Sequence, residues 1–317
     1  MGDAVARVLI IKLGYRRGLP SEVSREICLT SVLRATVLLN LFKDDDVTWV
    51  TTAPAAGLLS GASNVRKVLT YDYLVSLGLR YETFDVVVNL EADWEFCALA
   101  QSADARVRHG FTLDEAGEKV VALPGAERAL ALELAPPARR HETRPDQQIL
   151  FELMGSNWHG EPFVLGYHPS NEERFDVGLN RVDAAHGRNR SWPDAHWDAL
   201  EERIAEHYAV CDEPQPTDLR GYIDWLNACR IVVSSDSLGL TLAQALGKKV
   251  VGLFGPTSAA LCHAYGRGVK LTPPIKLNCI PCYDTECRYE KGCLQTILPE
   301  QVAEAVDLLA HAPAVDC

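Results

Sequence analysis

The 317-residue sequence predicts an α/β fold made of two successive domains, each on a mostly parallel, doubly wound sheet. Three observations predict it. Through the first half, short apolar runs alternate with stretches of helical period, the pattern of parallel strands joined by crossover helices. The stretch from Arg230 to Thr257 (RIVVSSDSLGLTLAQALGKKVVGLFGPT) repeats that pattern as strand, turn, helix, strand, turn. The length suits about two domains with sizeable cores.

Taken in order, Ala4–Leu13 is an apolar strand ending at Gly14, and Val47–Thr52, Lys67–Tyr71 and Phe84–Leu90 are three more. Val32–Phe42 and Pro54–Ser60 have helical character, the second with proline at a tolerated first-turn position. Between Gly14 and Leu29 lies a polar segment with both Arg and Glu, at the edge where open α/β sheets meet ligands. Prolines and charges over 132–157 place the domain boundary, giving domains 1–155 and 156–317. Gln147–Met154 reads as a helix, and Phe163–His168 as the strand that opens the second α/β run. Asn180–Arg190 is polar and reads as a loop. Asp194–His207 is an amphipathic helix entered through Trp192-Pro193, Thr217–Ala228 a further helix, and Pro299–Ala310 the last.

In the stretch 230–257, Ile231–Val233 end in the polar cluster Ser234-Ser235-Asp236-Ser237. Leu238, Leu242 and Leu246 then recur at helical spacing until Gly247 stops them. Val250–Phe254 is a second buried strand, and Gly255-Pro256-Thr257 a turn that cannot extend it. Helix N-termini at strand ends present N–H groups to anions, so this unit is a candidate ligand site. Asp236 and Ser237 also suit a plain helix cap.

A net charge of −12 argues against a general nucleic-acid binder or an anionic-membrane anchor. No stretch approaches the roughly 18 consecutive apolar residues of a membrane span. With the first strand so close to Met1, the cytoplasm is the expected compartment. The first strand is not followed by G-x-G-x-x-G, which weakens a dinucleotide reading and leaves no organic cofactor implied. Two lobes suit a two-substrate enzyme that closes on donor and acceptor.

Of ten cysteines, Cys28, Cys97, Cys211, Cys229 and Cys262 are scattered and read as small buried hydrophobes. Cys279, Cys282, Cys287 and Cys293 are clustered within CIPCYDTECRYEKGC. Four thiolates at such spacings suit a closed, structural metal knuckle, of Zn or Fe, with free buried thiols the alternative.

Several segments together resemble the bacterial heptosyltransferases, glycosyltransferase family 9. VLIIKLG at Val8–Gly14 looks like that family's opening strand, and LTSVLRATVLL at Leu29–Leu39 like its first helix, usually LGDVLRTTxLL. GRNRSWPDAHWDAL at Gly187–Leu200 resembles its phosphate-contacting loop and helix. DSLGLTLAQAL at Asp236–Leu246 and LFGPTS at Leu253–Ser258 look like its donor signature. The cysteine segment resembles that of the autotransporter heptosyltransferase branch, in which a structural iron is known.

The resemblance implies a GT-B fold, with an acceptor-side first domain and a nucleotide-sugar (donor) second domain. It implies transfer of a sugar, typically heptose from ADP-heptose, with inversion, onto a glycan, protein or small-molecule hydroxyl. The donor-binding residues it implies are Arg190, Asp236, Ser237, Thr241, Gly255, Pro256 and Thr257. Arg190 stands where the family usually has Lys and offers bidentate charge to a phosphate. Two departures stand out. The family's Gly-Asp in the first helix is Thr30-Ser31, and its donor-signature His is Thr241. A hydroxyl is a poor general base, so the catalytic candidates are Ser31 by position and Glu22 or Glu26 by chemistry. A catalytically silent relative acting as a sugar-nucleotide-binding or assembly subunit is the rival reading, and a homo- or hetero-oligomer is open under either.

Overall fold

The structure, a computed structural model, describes residues 5–15, 28–181, 188–214, 218–284, 287–289 and 292–313. The chain forms two compact units, one of residues 1–135 with 144–168, the other of 136–143 with 169–317.

In the first unit, β1 (Arg7–Ile11), β2 (Asp46–Thr51), β3 (Val65–Thr70), β4 (Thr83–Asn89), β5 (Asp104–Leu113) and β6 (Val120–Ala122) form one sheet in the order β3-β2-β1-β4-β5-β6. The first five strands are parallel, and β6 returns antiparallel on β5. The crossovers are α1 (Leu29–Ala35), α2 (Ala53–Leu59), α3 (Tyr73–Leu79) and α4 (Trp94–Ser102), and α5 (Glu127–Leu134) and α6 (Asp146–Leu153) complete the unit. Strand residues such as Leu9, Ile11, Val50 and Val87 pack with Phe96 and Leu99 of α4 in one buried cluster. Two of these helices start where the sequence gives a signal: α2 has proline in its first turn, and Asp72 caps α3 by accepting from Val75 N at 2.7 Å. The expected helix over Val32–Phe42 is α-helical only to Ala35 and continues as a 3-10 helix, Thr36–Phe42. At the change, the Thr36 hydroxyl donates to Leu33 O at 2.6 Å, one residue short of the α repeat.

Phe163–His168, expected to open the second sheet, is not a strand. It closes the first unit as coil, with Gly166 N donating to Leu58 O at 2.7 Å and Val164 N to the Thr36 hydroxyl at 3.0 Å. Gly61 and Gly166 meet backbone to backbone, where a side-chain carbon on either would overlap the other segment.

The second unit begins its sheet at β7 (Phe175–Asn180) and continues with β8 (Val210–Asp212), β9 (Cys229–Ser235), β10 (Lys249–Leu253) and β11 (Gly268–Leu271). All are parallel, in the order β11-β10-β9-β7-β8. Its helices are α7 (Asp194–Ile204), α8 (Leu219–Asn227), α9 (Leu238–Ala245) and α10 (Pro299–His311). Trp192 and Trp197 meet edge to face at 4.9 Å in a core with Val233, Val251, Leu294, Ile297 and Val306. Gly247, at φ +73°, turns the chain from α9 into β10, as the sequence predicts.

Each sheet has one place where successive strands go off in opposite directions: between β1 and β4 in the first, between β7 and β9 in the second. Ligands of open α/β sheets bind beyond the strand ends at such points.

Candidate functional site

In the second unit, β7 ends in Asn180 and β9 in Ser234-Ser235, side by side at the switch point. Ser237 caps α9 there, its hydroxyl accepting from Leu240 N at 3.3 Å. These groups form one chain of hydrogen bonds. Tyr222 on α8 donates its hydroxyl to Asn180 Oδ1 at 2.8 Å, and Asn180 Nδ2 donates to Ser234 Oγ at 2.7 Å and Ser237 Oγ at 3.2 Å. Ser234 Oγ and Ser237 Oγ are 2.9 Å apart. The chain fixes the first turn of α9, whose leading N–H groups and helix dipole favour an anion. Only glycine fits at 239, because a side-chain carbon would collide with the Tyr222 hydroxyl and the Asn180 amide. Thr241 is buried, and its hydroxyl turns back to Ser237 O at 3.2 Å. Asp236 lies between the end of β9 and the cap.

The turn Gly255-Pro256-Thr257 is buried and follows β10 at the same end of the sheet. A side-chain carbon at Gly255 would stand 2.6 Å from the Cys293 sulfur, so glycine lets the cysteine segment pack against the turn. Arg190 is half-buried at the end of a 3-10 turn, Arg188–Arg190, anchored from both sides. Asn189 Nδ2 donates to Asp284 O at 3.2 Å, and Trp192 Nε1 to Ile297 O at 2.9 Å.

Two charged groups near this end escaped the sequence reading. Arg181, just after β7, gives one donor each to Asp212, Asp198 and Glu201, all at 2.7 Å, and so ties β7 to β8 and α7. Glu213 follows β8, and burial pushes its carboxyl up to about 7. Tyr222 is raised by burial and then by the Glu213 charge.

In the first unit, Glu22 and Glu26 lie outside the described residues. Ser31 sits in the first turn of α1 and donates its hydroxyl to Cys28 O at 2.9 Å. Among the described residues, a buried carboxylate at this switch point is Glu91, two residues beyond β4. Its Oε1 accepts from Leu13 N at 2.6 Å and Gly14 N at 2.8 Å, and faces Lys12 Nζ at 3.4 Å. Burial would lower Lys12, but the Glu91 charge and then that of Glu133 carry it upward. Burial raises Glu91 against the pull of Lys12 and the two N–H groups. Glu91 therefore ties β4 to the turn after β1, and a side-chain carbon at Gly14 would come within 3.3 Å of the Ser31 hydroxyl. A polar residue closing an apolar run was its only sequence signal.

The four clustered cysteines are electrostatic neighbours. Burial pushes the Cys293 thiol up to about 11, helped by Cys282, Cys287 and Cys279. Burial raises Cys282 as well, against the pull of the Asp284 backbone N–H, with the charges of Asp284 and Cys279 adding to the rise. The donor set suits a thiophilic metal. Among the described residues, no three His, Cys, Asp or Glu side chains stand in a metal-ready group.

Two mostly parallel α/β sheets, each with polar groups gathered at its switch point, define the class as a GT-B fold, matching solved structures of family 9 glycosyltransferases. Residues 214–292 match the model of glycosyltransferase family 9 (heptosyltransferase), a span that includes β9, α9, β10 and the first three of the four clustered cysteines. The resemblance to that family is thus borne out. A family 9 glycosyl transferase from Veillonella parvula superposes with a TM-score of 0.65 at 14% identity, covering 96% of this chain and 97% of that one. The E. coli heptosyltransferase WaaC with ADP gives 0.60 at 16% identity, covering 95% and 99%. The iron-containing dodecameric glycosyltransferase TibC from enterotoxigenic E. coli gives 0.58 at 11% identity, covering 96% and 76%. No curated protein sequence matches the chain significantly. No described helix is long and apolar enough to cross a membrane.

Proposed function

We propose that this chain is an inverting glycosyltransferase that moves heptose from ADP-heptose to a hydroxyl, with a protein hydroxyl the favoured acceptor. The observation that carries the reading is the hydrogen-bonded set Tyr222–Asn180–Ser234–Ser237, which prepares the first turn of α9 for an anion within the segment matched to family 9. Two relatives of the same fold support the donor: WaaC with ADP-2-deoxy-2-fluoro heptose, and TibC with ADP-D-beta-D-heptose.

In this reading the acceptor hydroxyl loses its proton to a carboxylate while its oxygen bonds to the anomeric carbon. The bond to the diphosphate breaks, and ADP leaves with the electron pair. The α9 N–H groups, the Gly255–Thr257 turn and the Arg190 guanidinium hold the departing charge, an electrostatic contribution of the kind that dominates such steps. Because Ser31 replaces the expected aspartate, the base is assigned to Glu22 or Glu26. The four cysteines would hold one structural Zn or Fe, which would brace the segment beside the donor turn and enter no chemical step.

The test is incubation of the purified protein with ADP-heptose and candidate acceptors, following ADP release and acceptor mass. The reading expects turnover that Glu22→Gln or Glu26→Gln abolishes. Tight donor binding without turnover on any acceptor would instead support the silent, assembly-subunit role. Elemental analysis of protein purified without chelator should find about one metal per chain, and its absence would remove the knuckle.

A further inference from the structure

The segment Cys282-Tyr283-Asp284 lies among three others of the second unit and bonds to each. Tyr283 N donates to Pro256 O at 2.8 Å, and the Tyr283 hydroxyl accepts from Ser258 N at 3.1 Å. One tyrosine thus grips the turn after β10 at two points two residues apart. To reach both, it adopts φ +59°, a left-handed backbone uncommon outside glycine. Asp284 O accepts from Asn189, beside Arg190. On the remaining side, the Arg139 guanidinium stands over the Tyr283 ring at 5.8 Å, and Arg140 donates to Cys282 O at 3.4 Å.

We infer that Tyr283 is the positioning residue that sets the Gly255–Ser258 turn, and, given that this turn holds the donor as proposed above, that it controls donor affinity. Glycine at 255 gives the start of the turn no side-chain anchor, and the Ser258 hydroxyl is turned onward, accepting from Ala260 N at 3.3 Å. Its hold comes from outside: Cys293 packs against Gly255, and Tyr283 bonds its carbonyl at 256 and its amide at 258. A ring alone can fill the space under Arg139. Only a hydroxyl can also take the Ser258 N–H.

Tyr283→Phe separates these roles, since it keeps the ring and the backbone bond to Pro256 and removes the acceptor alone. The expected result is a threefold to tenfold weaker ADP dissociation constant by calorimetry, the range for one lost hydrogen bond of ordinary strength. With ADP-heptose as donor, KM rises by the same factor and kcat holds. Hydrogen exchange at the Ser258 amide speeds up without ligand, whereas melting temperature stays near wild type. Tyr289→Phe, an exposed tyrosine six positions on, changes none of these. Arg139→Ala, which removes the cation over the ring, shifts ADP affinity in the same direction.

A Tyr283→Phe protein with wild-type ADP affinity and wild-type Ser258 exchange overturns the assignment while leaving the donor reading intact. A wild-type protein that binds no ADP overturns the donor reading, and the control of affinity with it. A variant that loses ADP binding only in step with its melting temperature shows Tyr283 to be structural and nothing more.

Discussion

Gly239→Ala and Gly78→Ala make the same chemical change in two helices, and the structure gives them opposite signs. Alanine exceeds glycine in helix propensity by about 1 kcal/mol, so an unopposed substitution stabilises. Gly78, in α3, has nothing within 4 Å of the added carbon. Gly78→Ala should therefore raise stability by about 0.5–1 kcal/mol. At Gly239 the carbon meets the Tyr222 hydroxyl and the Asn180 amide, which bond each other at 2.8 Å. Neither can retreat without opening that bond, and a buried polar group left without its partner costs about 1–3 kcal/mol. Forcing a methyl into a filled space costs a similar amount. Against the propensity gain, the net loss at Gly239 comes to about 1–5 kcal/mol. Urea unfolding of the three proteins measures the difference, with ADP titration alongside. Gly239→Ala should also weaken ADP, since Asn180 carries both Ser234 and Ser237. If it proves as stable as Gly78→Ala, the close packing of α9 on Tyr222 and Asn180 is refuted.

Two further outcomes follow from the buried charges. Glu213, raised by burial to about 7 against an ordinary 4.5, binds its proton more tightly folded than unfolded. Its stabilisation is therefore present below pH 4.5 and is lost as pH rises toward 7. Because the group is half exposed, about 1–2 kcal/mol is expected after screening, and Glu213→Gln should recover it at pH 8 in unfolding titrations; an unchanged pH dependence would contradict this. Glu91→Ala strips the acceptor from Leu13 N and Gly14 N and leaves Lys12 buried without its counter-charge. A loss of about 3–5 kcal/mol is expected by calorimetry, with Glu91→Gln intermediate because an amide oxygen can still accept.

The strands over Val47–Thr52 and Phe84–Leu90 were legible because parallel, doubly covered strands are continuous apolar runs. The same rule misled at Phe163–His168, where Phe163 and Leu165 are buried as coil against the first unit, whereas the true β7, FDVGLN, interleaves Asp176 and Gly178. Ser237 and Gly247 were readable since caps are local chemistry. Asn180, Tyr222 and Glu91 were not, because their roles arise from partners far along the chain: Glu91 meets Leu13 across 78 positions. The cysteine spacing announced a cluster, but nothing in it told that Tyr283 would hold the turn at Pro256 and Ser258.

The central claim is that the second unit binds a nucleoside diphosphate at the ends of β7, β9 and β10. Amide hydrogen exchange with and without ADP tests it most directly. Slowed exchange in the first turn of α9 and across Gly255–Ser258, with β3 and α3 unchanged, is the predicted result. Protection confined to other segments, or none at saturating ADP, would contradict it.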